Sequence, residues 1–374
     1  MSDPRLANLA KILVHYSVRA KPGDRIAIAC LGSLVAGMPL AREVYREILI
    51  AGAHPHMLIH QHCTEEFAKD FFTLSHEDQI NYVDPQTLGV GERFRSLIHI
   101  LSLVNTRGLS KVDAGKRAAR AHAYQPMWDL IDVRTASGEL SWVLGCQPTT
   151  GYAQDAEMSL EEFEDFVYAA CYANSTDPVA AWEQVGSTQQ RIIDALAGIR
   201  NITVKGPHAD ISFSVENRRF INCDGHLNMP DGEIFTGPVE DSVDGTFEST
   251  FPAIAGGVDC GRVSLALERG LIVRAQAEKH GDHLKALLET DAGAKRLGEF
   301  GVGTNDQIRV FTGNMLFDEK IGGTIHFAVG SGYAQTGSVN KSGVHWDFLV
   351  DMRERGQILA DGRLIYESGK FLIP

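Results

Sequence analysis

The sequence is short of positive charge: 35 lysines and arginines stand against 48 acidic residues, a formal net charge of −13. Nucleic-acid and anionic-membrane binding both draw on clustered cations, so neither is expected as a partner. Paired cysteines are missing as well. Cys30, Cys63, Cys146, Cys171, Cys223 and Cys260 are scattered, which argues against a zinc knuckle or a disulfide framework and fits a reducing, cytoplasmic setting. No stretch is apolar for long enough to span a bilayer. The opening MSDPRLANLAKILVHYS lacks the basic-then-apolar pattern of a signal peptide. Low-complexity tracts and long Pro/Gly/Ser linkers are absent, so disorder is not expected. What remains is a chain of 374 residues, 44% hydrophobic and 22% charged. That is ordinary globular composition, with length enough for two domains. An acidic enzyme suits divalent cations and substrates with a free amino group.

Periodicity divides the chain in two. Asp3 and Pro4 read as N-cap and first residue of a helix through LANLAKILVHYSVRA. RIAIAC, HPHMLIHQH and SLIHILSLV read as strands, with helices from Leu40 to Ala51 and over EEFAKDFF. Strands alternating with helices predict a parallel sheet covered by helices. Ser159 and Glu162 form a capping box before a helix, and PVAAWEQVGSTQQRIIDALAG predicts another. From Asn201 the texture changes. ITVKG, ADISFSVENRRFINCDG, RVSLALERGLIVRAQAE, QIRVFTG, GTIHFAVG and GVHWDFLVDM are β-like and separated by Gly-rich turns, with ERG as a hairpin turn. The boundary falls between Asp177 and Asn201. The expectation is an α/β N-terminal domain over 1–185 and a β-rich α+β domain over 186–374 that carries the chemistry.

In a strand, alternate side chains share a face. Val344, Trp346, Phe348 and Val350 then face one way, and His345 and Asp347 the other. An H-x-D pair so placed aims an imidazole and a carboxylate at one point, although Asp also orients His without any metal. In GTIHFAVGSGY, His326 lies opposite Ile325, Phe327 and Val329, between the small Thr324 and Ala328, and Tyr333 follows just past the turn. Glu233 comes directly after a Pro-Asp-Gly turn, and Glu299 is flanked by Gly298 and Gly301. Two His, two Glu and one Asp make a hard N/O ligand set suited to zinc, cobalt or manganese. Five ligands exceed the three of a mononuclear catalytic zinc, so a pair of divalent ions is the economical reading.

NMPDGEIFTGP, GEFGVGTN, FDEKIGGTIHFAVGSGY and NKSGVHWDFLVDM, in this order, resemble the motifs of the thermophilic metalloaminopeptidases that include aminopeptidases T, S and II. The likeness extends weakly into LAKILVHYSVRAKPGD and MSLEEFEDFV. It implies two metal ions held by Glu233, Glu299, His326, His345 and Asp347, a catalytic Tyr333, and a homodimer. The implied reaction is release of N-terminal residues from peptides or amino-acyl substrates with a free N-terminus. Tyr333 would donate a hydrogen bond to the developing oxyanion, and Glu299 would bridge the metals or shuttle the proton.

Other readings of the same residues remain. His326, His345 and Asp347 could form the facial triad of an Fe(II) ring-cleaving dioxygenase of the dihydroxypyridine type, a site that has no need of Glu233 and Glu299. Hydrolysis of a non-peptide amide would use the full set. His54, His56, His60 and His62 alternate on one strand face and read either as a second metal site or as a polar sheet edge. Asp318 and Glu319 read either as acids orienting His326 or as a solvated turn paired with Lys320.

Overall fold

The computed structural model describes residues 3–59 and 64–373. The chain splits into two compact units, Met1–Glu183 with Gly225–Pro230, and Gln184–Asp224 with Asp231–Pro374.

The first unit is built on a five-stranded sheet in the order His54–Leu58, Arg25–Gly32, Ser96–Ser102, Ser141–Cys146, Asn228–Met229, paired in parallel throughout. Ile26, Ala27, Ile28 and Ala29 are all buried, as a central strand covered on both faces by helices requires. The first helix starts as its sequence indicates: the Asp3 carboxylate accepts the Arg5 N–H at 2.9 Å, and Pro4 opens Pro4–Lys11. It then widens into a π-helical turn, Ile12–Ser17, which the period of the sequence does not reveal. The next helix begins at Leu34 rather than Leu40, capped by Ser33, with Pro39 inside it. Proline forfeits the bond to the carbonyl four residues back, and that residue, Val35, is exposed, so water can satisfy it. The Ser159–Glu162 capping box forms with bonds of 3.2 and 2.8 Å. His54 and His56 lie on an edge strand and are exposed. His60 and His62 fall outside the described residues.

The second unit is strand-rich and antiparallel. Eight strands form one sheet, in the order Leu271–Ala277, Val263–Glu268, Asp244–Glu248, Ala209–Ser214, Asn201–Gly206, Gln357–Ala360, Arg363–Glu367, Lys370–Phe371. Five form another, in the order His345–Asp351, Thr324–Gly330, Leu297–Gly303, Glu233–Thr236, Ile221–Cys223. One shared hydrophobic core joins the two. Phe327 supplies its centre, packed on Phe247 at 4.6 Å, Phe300 at 5.4 Å and Phe213 at 6.3 Å between ring centroids. QIRVFTG, residues 307–313, is not a strand. Its Thr312 N–H and hydroxyl both donate to Asp318, at 2.7 and 2.8 Å, so a side chain takes the bonds that a ladder would have used.

Candidate metal centre

The five-stranded sheet of the second unit sorts its residues by face. Ile325, Phe327, Val329, Trp346, Phe348 and Val350 enter the core, so the alternating residues must point to the other side. Register does the rest. Glu299 pairs with Ala328, and Ala328 with Asp347, while Gly301 pairs with His326 and Gly330 with His345. Glu233 pairs with Gly303 one strand further on. Strand alternation, together with small residues at 301, 303 and 328, collects five polar side chains over one patch. An irregularity between Leu297 and Glu299 shifts the register there and re-aims Glu299, a common use of a bulge beside a site.

Glu299 stands between the two imidazoles. Its Oε1 is 3.4 Å from His326 Nε2 and its Oε2 is 3.4 Å from His345 Nε2. Glu233 Oε2 lies 3.3 Å from His326 Nε2, and Asp347 Oδ1 lies 3.8 Å from His345 Nε2. Two sets of ligand atoms result, Glu233–Glu299–His326 and Glu299–His345–Asp347, each lying within 4.8 Å of one another. The sequence-based candidates are thus brought together, with Glu299 common to both sets. The His345 ring donates Nδ1–H to the Ser331 carbonyl at 2.9 Å, which leaves the Nε2 lone pair facing the carboxylates. Tyr333 joins from the segment after the His326 strand, with ring centroids 5.3 Å from both His345 and Phe235.

Burial sets the electrostatics. Glu233, Glu299, Asp347 and His326 are all buried. Burial raises the Glu299 carboxyl above its usual value, although the His326 hydrogen bond and charge oppose it. Burial would lower His326, but the Glu299 hydrogen bond and the Glu233 and Glu299 charges outweigh that and push it up to about 8. Partial burial of Tyr333 and the negative charges of Glu299, Asp347 and Glu233 raise its phenol well above the ordinary value, so it stays protonated and can donate.

The donor set fits divalent metal. Among the described residues, Glu233 Oε2 and Asp347 Oδ1 accept no hydrogen bond although buried, a costly state unless a cation takes their lone pairs. Sequence reasoning missed how deeply Lys320 is placed. It is fully buried, 3.4 Å from Glu233 Oε1, and paired with Glu319. Burial would lower its ammonium, but Glu233 and Asp231 raise it. Glu319 forms a further ligand-capable set with His326 and Asp347, and Asp231 another with Cys223 and Glu233. The signal was the DEK triplet between buried Phe317 and Ile321, where a solvated turn would not be flanked so. Asp318 does not orient His326. It caps Thr312, and burial raises its carboxyl to about 7 against those hydrogen bonds.

The family described as thermophilic metalloprotease (M29) matches residues 2–371. Aminopeptidase AmpS of Bacillus subtilis strain 168 is 32% identical over 278 residues, which cover 63% of this chain and 66% of that protein. Aminopeptidase T of Thermus thermophilus is 26% identical over 413 residues, covering 97% of this chain and 95% of that protein. The solved structure of wild-type AmpT from Thermus thermophilus has a TM-score of 0.83 at 20% identity, with 99% of each chain covered. That last likeness is one of fold: a parallel sheet with helices, then antiparallel sheets.

Proposed function

Because the chain belongs to the thermophilic metalloprotease (M29) family, and is a metalloaminopeptidase by that membership, we propose that two divalent ions act together at the site just described. Glu233, Glu299 and His326 would hold one, and Glu299, His345 and Asp347 would hold the other. The observation that carries this reading is the Glu299 carboxylate, which turns one oxygen toward each histidine as a shared ligand must. A hard N/O set without thiolate supports zinc, cobalt or manganese. When bound, the ions supply an activated water and a Lewis acid for the scissile carbonyl.

The chain's own groups do the remaining work. Glu299, as the shared ligand, would orient the attacking water, whose proton passes to the leaving amine as the C–N bond breaks. Tyr333, held protonated, donates to the oxyanion as the carbonyl becomes tetrahedral. The surplus of buried carboxylates favours a substrate with a free amino terminus. Against the iron dioxygenase reading, no ligand-capable set among the described residues contains both histidines, as a facial triad would. The described cysteines are free and four of the five are buried, which supports a reducing, cytoplasmic setting.

The test is hydrolysis of amino-acyl anilides by metal-stripped protein, before and after adding cobalt, zinc or manganese, with bound metal counted. Activity restored with two ions per chain, and absent on an N-blocked substrate, is the expected outcome. Full activity with a single ion would overturn the two-metal reading.

A further inference from the structure

Tyr333 lies outside the strands, on the segment between Thr324–Gly330 and His345–Asp351, so no ladder fixes it. The segment folds on itself instead. Thr336 donates its hydroxyl and its N–H to the Tyr333 carbonyl, at 2.7 and 3.0 Å. Gly332 N–H bonds the Asn340 carbonyl at 3.1 Å. Ser338 packs directly beneath the residue before the tyrosine. A Cβ at Gly332 would fall 2.1 Å from Ser338 Oγ and 2.6 Å from its Cβ, so the Ser338 side chain lies directly against the Gly332 backbone, in the space a side chain there would take. Any displacement of Ser338 passes to the peptide that carries Tyr333.

One carboxylate from elsewhere in the unit holds Ser338. Glu240 Oε1 accepts Ser338 Oγ–H at 3.1 Å and Val339 N–H at 2.8 Å, and its Oε2 accepts Arg218 Nη2–H at 2.5 Å. Arg296 fixes the Glu240 carbonyl at 2.8 Å. The Arg218 and Glu240 side chains are 8% and 19% exposed, so the pair is largely out of water. Burial would raise the Glu240 carboxyl, but the Val339 N–H and the Arg218 charge hold it below its usual value. It therefore remains ionised.

We propose that Glu240 is a positioning residue for the reaction: anchored by Arg218, it clamps Ser338 and Val339 and thereby sets where the Tyr333 phenol stands beside His345 and Glu299. The inference rests on the reading of Tyr333 as the oxyanion donor. A group that acts only through Tyr333 has nothing left to do once the phenol is gone, so a double-mutant cycle isolates it.

Glu240→Ala, Tyr333→Phe and the double variant are compared on an amino-acyl anilide, with bound metal measured. Tyr333→Phe is expected to lower kcat by about 10²-fold. Glu240→Ala is expected to lower kcat at least ~10-fold with KM within about twofold, an effect on the transition state rather than on binding. In the Tyr333→Phe background it should cost nothing more. Glu240→Gln, which keeps an acceptor for Ser338 and Val339, should recover most of the rate. Additive losses in the double variant, or undiminished kcat in Glu240→Ala, would overturn the proposal. If Glu240→Ala does not fold, Ser338→Ala removes one donor of the clamp and enters the same cycle. Full kcat in Tyr333→Phe would instead overturn the role of Tyr333. Amide hydrogen exchange at Gly332 and Val339 separates the two failures, because a clamp predicts faster exchange in Glu240→Ala whatever the phenol does, and unchanged exchange refutes it.

Discussion

Gly301 lies directly across the ladder from His326, and a methyl group built on it would fall 2.1 Å from the imidazole Nε2. The ring that faces Glu233 and Glu299 therefore occupies the space of a missing side chain. Gly301→Ala should push His326 off the carboxylates while the strand pairing survives. Metal analysis is expected to show loss of the ion at Glu233, with turnover reduced accordingly. Wild-type metal content in this variant would mean that His326 does not ligate.

Glu299 is common to both ligand sets, so its removal should be felt at both. Glu299→Ala is expected to cost on the order of 10³-fold or more in kcat/KM, because coordination is lost at both ions together. Circular dichroism should stay that of the wild type, because Glu299 is off the face that enters the core. Retained activity would remove it from the site.

Asp318 links stability to pH. Its folded pKa, about 7, lies above the ordinary 3.8 because burial penalises the charge. Between those values the folded protein holds a proton that the unfolded chain has released, so this group lowers stability as pH rises from about 4 to about 7 and adds no slope above that. Asp318→Asn, which keeps an acceptor for Thr312, should flatten that part of the profile in denaturant melts. An identical slope in wild type and variant would show that Asp318 is ionised throughout.

Phe327 backs the site from the core side, fully buried against Phe213, Phe247 and Phe300. Phe327→Ala should cost about 3–5 kcal/mol, the usual range for deleting a buried aromatic side chain. Urea unfolding measures it. A loss below about 1 kcal/mol would mean that the two sheets repack around the gap.

Short-range pattern carried much of this. Period-two alternation placed His326, His345 and Asp347 opposite an apolar face that does enter the core. The capping box at Ser159 and the N-cap at Asp3 formed as their spacing indicated. Where a local rule met a competing contact it failed. QIRVFTG has β-like composition, yet Asp318 satisfies Thr312 and no strand forms there. The helix expected from Leu40 begins at Leu34 instead, and accepts Pro39 at an exposed turn.

By itself the sequence determined the candidate residue types and, for His326, His345 and Asp347, the strands that bear them and the face each side chain takes, because those follow from backbone geometry within a few residues. The strands bearing Glu233 and Glu299 were not legible in it. Tertiary structure alone decided that Glu299 stands between His326 and His345, that Lys320 and Glu319 are drawn in beside Glu233, and that Glu240 reaches the segment carrying Tyr333. Those relations depend on register between strands distant in sequence and on which charges share a water-excluded volume. Neither is encoded by the spacing of neighbouring residues.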